Sequence, residues 1–162
     1  MPDLPAGLFP RKGPGLSPRE RKVLSVLLER GRPVPNSELA ESGGLRLVGT
    51  ERRRLNDLKL VQSGRQGREF VHELSDFGVE ALIEAAYGEL AAGPGEFVEL
   101  RELRESLPGA ARARVDAALA ELYAGQRINL VPRSNQAALT AADREAALRV
   151  GGEHKHLISI ER

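Results

Sequence analysis

Residues 49–74 read Gly49-Thr50-Glu51-Arg52-Arg53-Arg54-Leu55-Asn56-Asp57-Leu58-Lys59-Leu60-Val61-Gln62-Ser63-Gly64-Arg65-Gln66-Gly67-Arg68-Glu69-Phe70-Val71-His72-Glu73-Leu74. Leu55 and Leu58 stand at helical spacing, so the segment from Thr50 onward is expected to be a short helix with an apolar back. Arg52, Arg53 and Arg54, with Thr50, Glu51 and Asn56, surround that back with polar groups. Two strand-like runs follow, joined by a turn in which Gly64 and Gly67 give the backbone freedom and Arg65 and Arg68 place cations at the tip. Duplex DNA offers a groove wide enough for one helix, flanked by phosphates. A short cationic helix running into a cationic hairpin matches that shape. Three consecutive arginines alone would also fit a solvated helix face, and the hairpin that follows favours the first reading.

Upstream, Ser17-Pro18-Arg19-Glu20 is a complete helix start: a capping serine, proline at the first helical position, and a glutamate three residues after the cap. The helix is expected to run to about Arg30 with Val23, Leu24, Leu27 and Leu28 on one face, and to stop at Gly31. Asn36 is expected to cap a second, shorter helix through about Ser42. Gly43-Gly44 then makes the turn, and Leu45, Leu47 and Val48 anchor the start of the arginine-bearing segment. Downstream, Ser75 or Asp76 should cap a helix with an apolar stripe of Val79, Leu82, Ile83, Ala86 and Leu90. Residues 1–16, rich in proline and glycine, are expected to form a flexible or extended arm.

This order of elements, with the arginine-rich helix, the hairpin and then Leu74-Ser75-Asp76-Phe77-Gly78 and Leu82, resembles the winged helix-turn-helix regulators of the MarR and PadR kind. In those families a strand leads into a Leu-Thr-x-x-Gly turn and a following helix. The resemblance covers residues 17 to about 90. It implies groove contact by Arg52, Arg53 and Arg54 and phosphate contact by Arg65 and Arg68; Thr50 and Asn56, polar residues of the same helix, are counted with them as DNA-binding candidates. One departure stands out. The family usually carries a glycine between the recognition helix and the next strand, and Leu58-Lys59-Leu60-Val61 has none.

The rest of the chain repeats the plan. Glu38-Leu39-Ala40-Glu41-Ser42 recurs as Glu102-Leu103-Arg104-Glu105-Ser106, displaced by 64 positions, and the same displacement maps Leu55 onto Leu119 and Leu58 onto Leu122. Phe97-Val98 suggests a short strand, 100–107 and 110–124 helices, and Gly125 their stop. Arg127 to Val131 and Lys155 to Ile160 read as paired strands, with a helix from Thr140 to about Arg149 between them, ended by Gly151-Gly152. The expected fold is therefore α+β, mainly helical, with two tandem winged helix-turn-helix domains. Their expected bounds are 17–92 and 93–162, with a hinge at Gly93-Pro94-Gly95.

Charge separates the halves. Residues 1–75 hold 14 Lys or Arg against 9 Asp or Glu, whereas residues 76–162 hold 10 against 14. A basic first half suits a phosphate-bearing partner; an acidic second half suits a protein partner or a homodimer interface. Together these features imply a DNA-binding transcriptional regulator, or alternatively a tandem adaptor that binds only proteins. With 24 basic and 23 acidic residues and no cysteine, the chain offers no disulfide, thiol nucleophile or cysteine-bound zinc. His154-Lys155-His156, beside Glu153, is a candidate metal pair weighed against plain surface histidines, which are favoured. His72 is expected to point outward, opposite Val71. No phosphate-binding loop, nucleophile elbow or metalloprotease motif is present, so no catalytic residue, cofactor or metal is assigned. The expected location is the cytoplasm, beside the nucleoid, and no apolar run reaches membrane-spanning length.

Overall fold

The structure, a computed structural model, describes residues 15–161, so the expected arm lies outside the described residues except for Gly15 and Leu16. The protein is α+β, about half helical, with small antiparallel sheets and no barrel.

Helix α1 (Pro18–Arg30) begins with the anticipated capping box, the Ser17 hydroxyl accepting from Glu20 N and the Glu20 carboxylate accepting from Ser17 N. Strand β1 (Val34–Pro35) leads directly into α2 (Asn36–Ala40). After the turn at Gly43 and Gly44, both at positive φ, comes α3 (Gly49–Asp57), then β2 (Val61–Gln66) and β3 (Glu69–Leu74). Strand β3 is the centre of a three-stranded antiparallel sheet in the order β1-β3-β2. Helix α4 (Asp76–Leu90) follows, capped by Ser75.

The same sequence of parts then recurs. It runs β4 (Val98–Glu99), α5 (Leu100–Glu105), a short 3-10 turn, α6 (Arg112–Ala124) and β5 (Asn129–Val131), closed by β8 (Leu157–Ser159) in the sheet order β4-β8-β5. The 64-residue displacement survives in the first strand of each sheet, Val34 facing His72 and Val98 facing Ile158, while the central strand stands further along the chain in the second half. Between β5 and β8 the chain inserts α7 (Ala141–Ala146) and a hairpin of β6 (Leu148–Val150) and β7 (Glu153–Lys155). The helix anticipated to Arg149 thus stops at Ala146, and Gly151-Gly152 turns a hairpin instead of ending a helix. Leu148, in the stretch expected to be helical, is buried as a strand residue.

Helix α4 belongs to both arrangements. It packs against α1 on one side and against α5 and α6 on the other. One apolar cluster accordingly runs from Val23 and Leu24 through Leu82, Ile83 and Ala86 to Leu119, Leu122 and Ile158. Leu90 is the exception in the anticipated stripe, being 37% exposed. The Gly93-Pro94-Gly95 break is tied down at both sides, Gly95 N donating to Ile160 O and Tyr87 Oη donating to Glu96 O.

The end of α3 explains the missing glycine. Lys59 itself takes the left-handed conformation (φ 65°), and Leu60 N donates back to Leu55 O to close the helix. In the second half the helix ends at Gly125 as expected, and the left-handed residue is the next one, Gln126 (φ 60°), with Arg127 N donating to Leu122 O. The Ser75-Asp76-Phe77-Gly78 turn locks against this point. Ser75 Oγ lies 2.6 Å from Lys59 O and 2.9 Å from Leu60 O, and Ser75 N donates to Leu60 O. A β-carbon at Gly78 would stand 2.4 Å from both Leu60 O and a Leu74 methyl, so only glycine permits the approach.

Candidate nucleic-acid interface

Helix α3 is held to the sheet behind it by Leu55, which is fully buried; Leu58, expected beside it, is 37% exposed because the helix closes at that residue. The three arginines point in three directions. Arg54 turns inward to α1, its Nη1 donating to both oxygens of Glu20 at 2.6 Å and its Nη2 donating to Gly15 O. Arg53 is exposed and, among the described residues, reaches Thr50 Oγ1 at 3.4 Å. Arg52 lies across the hairpin, its guanidinium carbon 4.1 Å from the centre of the Phe70 ring. Arg65 and Gly64, expected in the turn, lie within β2 because the ladder runs on to Gln66; Arg65 pairs with Phe70 and approaches the same ring at 4.9 Å, and Arg68 stands exposed at the Gly67-Arg68 turn.

Asn56 has no free amide. Its carbonyl oxygen accepts from Ser63 N and its Nδ2 donates to Arg52 O and Ser63 Oγ. Ser63 Oγ lies 2.7 Å from His72 Nδ1, and His72 Nε2 lies 3.0 Å from Asn36 Oδ1, which also accepts from Leu47 N. A carbonyl oxygen on one side requires the proton on Nε2, so Nδ1 accepts from Ser63. This chain of hydrogen bonds ties α3, the hairpin and α2 together. It also corrects two expectations. His72 is fully buried, not outward, because it shares strand parity with the core residue Leu74. Asn36 caps nothing with its side chain, since its amide is spent on Leu47 and His72. Burial, then the nearby Arg52 charge, holds His72 down at about 4, so it is neutral near pH 7.

The cations of the two halves differ in how they are spent. Among the described residues of the second half, Arg101, Arg104, Arg112, Arg114, Arg127, Arg133 and Lys155 all sit in ion pairs. In the first half Arg19, Arg21, Arg30, Arg32 and Arg54 do so. Among the described residues Arg52, Arg53, Arg65, Arg68 and the exposed Arg46 and Lys59 have no carboxylate partner, and these six lie together on α3, at its two ends or on the hairpin; Lys22 on α1 and Arg144 and Arg149 in the second half are the scattered others. Arg46 and Lys59 escaped the sequence reading; each flanks the helix by only one to three residues, and that proximity was the available signal.

The histidines near the C-terminus do not form a pair of ligands. His154 is exposed, while His156 is buried and its Nδ1 accepts from Arg133 N. Burial and the neighbouring His154 lower its pKa, consistent with an acceptor nitrogen. Among the described residues no group of three metal-ligating side chains converges, and no helix is long and apolar enough to cross a membrane.

Comparison of the chain with protein-family models, with curated proteins and with solved structures finds no match to any of the three.

Proposed function

We propose that the protein binds duplex DNA through α3 and the β2–β3 hairpin, as the first of two winged helix-turn-helix units in tandem, and acts as a transcriptional regulator. The observation that carries this reading is the clustering of uncommitted cations on one helix and one hairpin, while most cations elsewhere are neutralised by carboxylates. Such a cluster raises the self-repulsion of the folded chain and is relieved when an anion is bound. Thr50 and Arg53, exposed together on α3, are the candidates for groove contact. Arg46, Lys59, Arg65 and Arg68 are the candidates for the phosphates. Arg54 and Asn56 hold the helix in place from behind. The second unit, most of whose cations are paired with carboxylates, is assigned to homodimer formation or to a protein partner.

The test is binding of the purified chain to a labelled duplex pool as salt is raised. Wild type is expected to bind with a steep salt dependence. Arg68→Ala should flatten that dependence by about one unit of slope, and Arg53→Ala should change the preferred sequence by about 1–3 kcal/mol. Arg54→Ala should lower stability, with sequence preference unchanged. Absence of binding even at low salt would overturn the reading and direct the basic cluster to an acidic protein.

A further inference from the structure

Phe70 is half-buried between the hairpin and α3, and two guanidinium groups share its ring. Like charges are ordinarily kept apart, yet Arg52 and Arg65 lie no more than about 9 Å from each other, the two ring distances taken end to end. Among the described residues neither has a carboxylate partner. Glu69, next to Phe70 on β3, is occupied by Ser37, accepting from both its N and its Oγ. Arg52 Nε is, in addition, a buried donor with no hydrogen-bond partner among the described residues. The ring supplies attraction to each cation through its negative face, and it orders both side chains before any ligand arrives. What is missing is a counter-ion of small radius and several acceptor oxygens.

We infer that Arg52, Phe70 and Arg65 form a preassembled clamp for one phosphodiester of the nucleic-acid backbone, with Phe70 as its positioning residue. This inference rests on the duplex-binding reading and moves Arg52 from groove contact to phosphate contact. A phosphodiester fits because its two unesterified oxygens accept from two guanidinium forks at once. The clamp bridges α3 and the hairpin, so a bound phosphate also fixes the angle between the two. Sequence information does not pass through it, because every base step presents the same phosphate.

The experiment measures affinity and salt slope of the full chain for a short mixed-sequence duplex, with Arg52→Gln, Arg65→Gln, the double variant, Phe70→Leu and Phe70→Tyr. Each single arginine variant is expected to lose about one unit of salt slope. The double variant should lose less affinity than the product of the two single losses, because both groups hold one phosphate. Phe70→Leu should weaken binding to all sequences alike without any change of net charge, and Phe70→Tyr, which keeps the ring, should bind as wild type does. Melting temperatures of the Phe70 variants separate a lost platform from a lost fold; a folded Phe70→Leu protein with wild-type affinity overturns the positioning role. Wild type that binds while the arginine variants keep its slope overturns the clamp alone. Wild type that binds no duplex at low salt overturns the clamp and the reading beneath it together.

Discussion

His72 shows how much one side chain depends on its surroundings. Its neutral Nε2–H form satisfies Asn36 Oδ1 on one side and Ser63 Oγ on the other, and a second proton would leave Ser63 facing two donors, His72 and Asn56. The equivalent positions of the second half carry no such network. Leu100 stands 64 residues after Asn36, Ile158 takes the register of His72, and Leu130 faces Ile158 as Ser63 faces His72; all three are buried and apolar. The apolar version is therefore compatible with the architecture, and the polar one stiffens a particular junction of helix and hairpin. The folded pKa of about 4 lies below the ordinary histidine value of 6.5. Above pH 6.5 both folded and unfolded forms are neutral and the difference costs nothing. As pH falls toward 4 the unfolded chain takes up a proton that the folded chain refuses, so stability declines by roughly 3 kcal/mol across that window and levels off below it. Denaturant titrations at intervals between pH 7 and 4 should show this decline in wild type and a shallower one in His72→Ile. Equal slopes for the two proteins would remove His72 as its source.

At the level of elements, ends are decided by chemistry that is partly local. The capping boxes at Ser17 and Thr140 form as their residue types dictate, because cap and third residue need only each other. Asn36 fails as a cap for the opposite reason: better partners, Leu47 and His72, are brought to it from distant parts of the chain. The closures of α3 and α6 fall between these cases. Lys59 and Gln126 occupy a left-handed conformation that costs a residue with a β-carbon about 1 kcal/mol relative to glycine. Gln126→Gly is therefore expected to raise stability by about 0.5–1 kcal/mol, without touching a charge. A lower denaturation midpoint for that variant would show that the Gln126 side chain contributes a contact outweighing the backbone strain.

For the whole molecule, α4 is the decisive element. Glu80 and Glu84 on it receive Arg127 from beyond α6, at 2.9 and 3.1 Å, and Arg114 of α6 reaches back to the Leu74 carbonyl at the end of β3. With the apolar cluster continuous across it, the two halves should unfold together. Calorimetry is expected to give a single transition whose calorimetric and van't Hoff enthalpies agree. Two resolved transitions would mean that the interface at α4 is weaker than its burial suggests. The 64-residue repeat was legible because Leu39, Leu55 and their counterparts Leu103 and Leu119 mark buried faces that keep their spacing in any helix. That α4 serves both repeats was not legible, since its Val79–Ala86 stripe says only that one face is covered and not by what.

Local grammar thus specified much of the architecture: helix starts at Ser17, Ser75 and Thr140, a turn at Gly43-Gly44, a hairpin turned at Gly67, apolar stripes on α1 and α4, and a basic first half set against an acidic second. These depend on neighbours within a turn or two, where geometry follows from residue type. Tertiary structure alone decided the direction of each arginine, the burial of His72, the sharing of α4 and the meeting of Arg52 with Arg65 on Phe70. A run such as Arg52-Arg53-Arg54 places successive side chains about 100° apart around the helix. Only the positions of Glu20 on α1 and Phe70 on β3, set by the tertiary fold, turn one arginine to the core, one to the hairpin and one to solvent.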